Sequence, residues 1–118
     1  MTKAPKKSAD AIRFAAVGDL HVKKESAGQL RELFAQASEA ADALLLCGDL
    51  TDYGTAEEAQ ILVDELALVK IPIVAVLGNH DYESDTPDVV RGILGEAGVR
   101  VLDGEAIEVH GVGIAGVK

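Results

Sequence analysis

Hydrophobic positions follow two alternating rhythms along this chain. Continuous apolar runs, Ile12-Arg-Phe-Ala-Ala-Val17, Ala43-Leu-Leu-Leu-Cys47 and Ile73-Val-Ala-Val-Leu77, have strand length and read as buried β-strands. Between them, apolar residues recur at helical spacing. Ser26-Ala-Gly-Gln29 fits a capping box, with Leu30, Leu33, Phe34 and Ala37 on one face behind it. Thr55-Ala-Glu-Glu58 is a second capping box, leading into Ala59, Leu62, Val63, Leu66 and Val69, and that helix must stop before Pro72. Thr86-Pro87-Asp88 starts a third helix that carries Val90, Ile93, Leu94 and Ala97 and ends at Gly98. Beyond it the rhythm shortens. Val99–Leu102 predicts a strand, and Ile107–His110 with Val112–Ala115 predicts a hairpin-like pair around Gly111. The pattern is α/β, one β-α-β-α-β stretch ending in short strands.

Each of the three apolar runs is followed by a polar cluster. The first meets Asp19-Leu-His21, the second Gly48-Asp49-Leu-Thr-Asp52, and the third Gly78-Asn79-His80-Asp81. Asp19, Asp49 and Asn79 recur at intervals of 30 residues, about one strand-helix-strand unit. If the strands are parallel neighbours, all three clusters emerge at the same edge of the sheet, where open α/β sheets place ligands. Carboxylate, amide and imidazole groups are donors suited to Mn, Fe or Zn. Asp49 has two oxygens with which to bridge two ions. Asp19 and His21 would hold one ion with Asp49, and Asn79 would serve the other. His80, next to Asn79, is placed to protonate a leaving oxygen, with Asp52 accepting a hydrogen bond that orients it.

Composition narrows the partners. At 118 residues the chain amounts to one domain, and 48% hydrophobic residues with only 3% aromatics leave Leu, Val, Ile and Ala to fill the core. A net charge of −9 argues against coating nucleic acid or an anionic membrane surface, although bound divalent ions would still admit a phosphate. The single cysteine, Cys47, rules out an internal disulfide and points to a reducing, cytoplasmic setting; it reads as a small buried core residue. No apolar stretch reaches the roughly 18 residues needed to span a bilayer. Residues 1–11 read as a disordered basic arm, leaving 12–118 as the folded body. Asp81, Glu83, Asp85 and Asp88 read as an acidic loop before a helix, and His110 as a strand surface residue.

The three clusters together resemble the first three signatures of the calcineurin-like metallophosphoesterases, in order, over about residues 12–115. The resemblance implies half of a four-layer α/β/β/α sandwich and a site with two divalent ions. Asp49 would bridge them, Asp19 and His21 would bind one and Asn79 the other. His80, paired with Asp52, would be the catalytic histidine near the leaving group, and metal-activated water would attack phosphorus. The activity implied is hydrolysis of a phosphomonoester or phosphodiester. Two features depart from that pattern. The family carries a lone histidine and a Gly-His-x-His pair downstream, whereas His21, His80 and His110 are the only histidines here. Tyr53 follows Asp52 where the protein phosphatases of the superfamily carry arginine, and Tyr cannot clamp phosphate bidentately.

These departures lead to the expectation of an N-terminal portion, truncated at its C-terminus, that binds two, one or no ions. The alternative is a non-catalytic metal- or phosphate-binding interaction module of the same descent. A phospho-acceptor receiver fits less well, because no lysine follows the third run. Expected partners are a small phosphorylated substrate and, through an uncovered sheet, a second copy of the chain. A membrane is not among them, and nucleic acid enters only as a phosphodiester substrate.

Overall fold

The computed structural model describes residues 11–118, so all but the last residue of the arm expected over 1–11 lies outside the described residues. Strands β1 (Phe14–Val17), β2 (Ala43–Cys47), β3 (Ile73–Val76) and β4 (Arg100–Val101) form one parallel sheet in the order β1-β2-β3-β4. Helices α1 (Arg31–Ala40), α2 (Ala56–Glu65) and α3 (Pro87–Glu96) connect them in turn. β5 (Ala106–Val109) and β6 (Val112–Ala115) pair antiparallel as a separate two-stranded sheet. The turn between them, His110-Gly111, has positive φ at both residues (51° and 79°), the requirement of a two-residue type I′ hairpin.

Because consecutive strands are always neighbours, right-handed crossovers put every helix on the same face of the sheet. The side-chain alternation agrees with this. Leu44, Leu46, Ile73 and Ala75 join Phe34, Leu62, Val90 and Leu94 of the helices in the larger core. The alternate residues Ala43 and Val74 meet Leu102 and Val109 on the opposite face, with Ile107 and Ile114 of the hairpin packed beside them. The hairpin leaves part of that face open. Leu45, Cys47 and Val76 line a cavity of about 310 Å³ there with Ile114 and Val117, and Phe14 on β1 is 37% exposed.

Most expected elements form, with informative differences. Cys47 is exposed, because it shares the incompletely covered face with Leu45. Leu33 is also exposed, and Phe34 alone of the α1 side chains is fully buried. His110 lies in the hairpin turn rather than on a strand, its Nε2 2.9 Å from the carbonyl of Asp42. The capping box expected at Ser26 is replaced. Residues Lys24–Ser26 make a short 3-10 turn, Gly28 adopts φ 84°, which a helix cannot accommodate, and α1 starts at Arg31. Its cap comes from α2, where buried Glu65 accepts the Leu30 N–H at 2.8 Å. A carboxylate there also suits the positive end of the helix dipole. The box at Thr55 forms as expected: Thr55 Oγ1 accepts the Glu58 N–H and Glu58 Oε1 accepts that of Thr55, both at 3.2 Å. Among the described residues, no helix is long and apolar enough to cross a membrane.

Replacing Glu65 with alanine removes a charge-assisted cap and leaves the Leu30 N–H unpaired. The expected loss is about 1.5–3 kcal/mol, read as a lower urea midpoint with an unchanged slope.

Candidate metal centre

The loops after β1 and β2 stay zipped beyond the sheet. Asp19 N–H donates to the Gly48 carbonyl at 3.2 Å, His21 N–H to Asp49 at 2.9 Å and Val22 N–H to Leu50 at 2.9 Å; Asp52 N–H returns to Val22 at 3.0 Å. This parallel ladder brings the first two clusters alongside each other at the carboxyl ends of the strands. Asp19, His21 and Asp49 all have left-handed backbones, with φ of 55°, 46° and 49°. Such residues cost of order 1 kcal/mol or more each and persist only where surrounding bonds over-determine them, which is a mark of functional sites.

Their side chains converge. His21 Nε2 lies 4.0 Å from Asp19 Oδ1 and 4.0 Å from Asp49 Oδ2, and its Nδ1 lies 3.6 Å from Asp52 Oδ1. Donor atoms of Asp19, His21 and Asp49 all fall within 4.8 Å of one another, and so do those of His21, Asp52 and His80. The first trio, two carboxylates and an imidazole, matches the chemistry of a divalent ion. The rings of His21 and His80 meet edge to face at 4.4 Å. Asn79 and His80 open a short 3-10 turn (Asn79–Tyr82), and the His80 N–H donates to Asp49 Oδ1 at 2.9 Å, tying the third cluster to the second. Asn79 is exposed and lines a cavity of about 530 Å³ with Asp49. The five charged or imidazole groups singled out in the sequence are thus brought together, with Asn79 on the wall beside Asp49.

The His80–Asp52 pairing takes an unexpected form. Nδ1 of His80 lies 2.8 Å from the main-chain carbonyl of Asp52, whereas the Asp52 carboxylate is 3.9 Å away and closer to His21. A carbonyl can only accept, so Nδ1 carries the proton and Nε2 is left for chemistry. That hydrogen bond is the main reason the His80 pKa is raised above its ordinary 6.5. Burial works against it, and the charges of Asp49, Glu83 and Asp52 add to it.

Asp81 is the residue whose importance the sequence pattern concealed. It is no member of a loose acidic loop: it is fully buried, and its carboxylate accepts the N–H groups of Leu50 (3.1 Å), Thr51 (2.8 Å) and Gly78 (2.9 Å) and the Thr51 hydroxyl (2.6 Å). The signal was available in Gly78-Asn79-His80-Asp81. An acid three residues after a turn start is spaced to cap the first N–H, here that of Gly78. Glycine is required at Gly78, where an added Cβ would collide with Asp49, and at Gly54, where φ is 72° and a Cβ would come within 2.5 Å of the Asp81 carbonyl oxygen.

Residues 12–111 match the calcineurin-like phosphoesterase family. No curated protein matches the chain at a significant level. In the metal-free chain, the His80 ring is expected to titrate with a midpoint above 6.5, measured from its carbon-bound ring proton by NMR. A raised folded pKa stabilises the chain fully below 6.5, and that contribution is lost as pH rises through the folded value. A His80→Gln variant should lack this part of the pH dependence of stability.

Proposed function

The chain belongs to the calcineurin-like phosphoesterase family, and on that basis we propose that it serves metal-dependent hydrolysis of phosphate esters. The observation that carries this reading is the convergence of Asp19, His21 and Asp49 at the strand ends. Asp19, His21 and Asp49 would hold one divalent ion of the Mn, Fe or Zn class, and Asp49 with Asn79 would serve a second. Bound there, such ions supply Lewis acidity toward phosphoryl oxygens and toward water.

The chain's own groups account for the remaining chemistry. Asp49 is held by the His80 N–H, so its carboxylate is oriented before any ligand arrives. Protonated His80 has Nδ1 committed to the Asp52 carbonyl and offers the Nε2 proton to the oxygen that leaves phosphorus. Its raised pKa favours the protonated ring that can donate. Asp52, with its carboxylate toward His21, orients that imidazole. Tyr53, 58% exposed beside the site, presents no guanidinium to clamp a phosphoprotein, which favours small phosphorylated substrates over phosphoproteins. The lone cysteine supports a reducing, cytoplasmic setting.

A second reading, a non-catalytic metal- or phosphate-binding module, draws on the ligand count. Among the described residues no third histidine joins the centre, since His110 sits on the Asp42 carbonyl just ahead of β2, at the opposite end of that strand. The open sheet face around Leu45, Cys47 and Phe14 supports self-association in either case.

Catalysis predicts Mn²⁺-stimulated hydrolysis of a chromogenic phosphodiester that Asp49→Ala abolishes. His80→Ala should slow turnover by about 10²–10⁴-fold on esters with poor leaving groups, and less on nitrophenyl esters, which need no proton. Metal binding by calorimetry without turnover on either ester class would select the non-catalytic reading.

A further inference from the structure

The chemistry above leaves a buried ionisable group unexplained. The Asp81 carboxylate hydrogen-bonds to none of the candidate ligand side chains, yet its two oxygens accept four hydrogen bonds from two different loops. Oδ1 takes the Thr51 N–H and hydroxyl; Oδ2 takes Leu50 N–H from the β2 loop and Gly78 N–H from the β3 loop. Thr51, also fully buried, accepts the Gly54 N–H at 3.0 Å with the same hydroxyl that it donates to Asp81. Leu50 and Thr51 lie between Asp49 and Asp52, and Asp81 directly follows His80. Any displacement of one loop must therefore break bonds that hold the other.

We propose that Thr51 and Asp81 are a positioning pair that locks the loop carrying Asp49 and Asp52 to the turn carrying Asn79 and His80, so that the ligand geometry is preset before a metal binds. Its consequence for metal affinity rests on the metal reading above, but the coupling itself does not. A carboxylate that only satisfied nearby N–H groups would need no shared hydroxyl and would let the two loops open separately. A shared, water-excluded carboxylate makes them open together.

The simplest test uses the unaltered chain. Amide hydrogen exchange should give Leu50 and Gly78, on opposite sides of Asp81, the same opening free energy. Thr51→Val keeps the shape and removes only the hydroxyl. It should speed exchange at Leu50, Gly78 and His80 about tenfold or more while far-UV circular dichroism is unchanged. It should also weaken Mn²⁺ binding by about 10–100-fold, the usual effect of losing a partner that orients ligands. Thr51→Ser restores the hydroxyl and should recover both. Separate opening energies for Leu50 and Gly78, or faster exchange in Thr51→Val confined to Gly54, would overturn the proposal. If Thr51→Val fails to fold, the comparison in the unaltered chain and the Thr51→Ser exchange pattern decide. Absence of Mn²⁺ binding by the unaltered chain would sink the metal reading and leave the exchange results to judge the coupling.

Discussion

A buried carboxylate organises this structure. Removing an ionised Asp from water costs several kcal/mol unless its oxygens are fully partnered, and an unpaired N–H in the same place is also costly. At Asp81 the two debts cancel: three backbone N–H groups that the loop geometry strands inside the protein meet an anion with four bonds to accept. Without that anion, the turn after β3 and the loop after β2 would have to hydrate their amides and separate. Asp19 and His21 lie on the loop after β1, but Asp49, Asp52, Asn79 and His80 ride on those two segments. Their mutual distances are therefore set by a residue that is itself no ligand.

Strand order makes such an arrangement reachable. Four parallel strands laid down in sequence place all helices on one side and all strand ends on one edge. The ends of β1, β2 and β3 then each contribute one short polar segment to a single place. The β1 and β2 segments are joined by direct main-chain bonds, including the His21–Asp49 and Val22–Leu50 pairs, and the β3 segment by Asp81 and the His80–Asp49 bond. The left-handed conformations of Asp19, His21 and Asp49 are sustained by these bonds. Elsewhere among the described residues the left-handed non-glycine positions are Asp85, in the turn before α3, and His110, in the hairpin turn.

The block pattern of apolar residues reveals the helices, the parallel strands and the hairpin, because burial on one face imposes period 3.6 on a helix and burial on both faces makes a parallel strand a continuous apolar run. The clustering of Asp19, His21, Asp49, Asp52 and His80 was likewise legible, since parallel neighbours must bring their ends together. Three things were not. Ser26 has the pattern of a helix cap, but Gly28 turns the chain away and Glu65, 35 positions beyond the Leu30 N–H that it accepts, does the capping. Cys47 looked like core because its run is uniformly apolar, and a run carries no information about which face finds a cover. Asp81 has the pattern of a solvent-facing acid, because three of the four hydrogen bonds it accepts come from a segment about 30 residues earlier. Local pattern reports local bonds; these three depend on distant ones.

The bond from His80 to the Asp52 carbonyl has an implication for mutational tolerance. Every residue type at position 52 has that main-chain oxygen, so the imidazole keeps its tautomer and tilt whatever side chain stands there. The Asp52 carboxylate serves His21 instead, and a substitution at 52 is felt on that side of the centre. Drift at this position bears most directly on His21, while His80 keeps its main hydrogen bond and loses only the smaller contribution of the Asp52 charge. The two imidazoles, touching edge to face, thus answer unequally to a change at this one position.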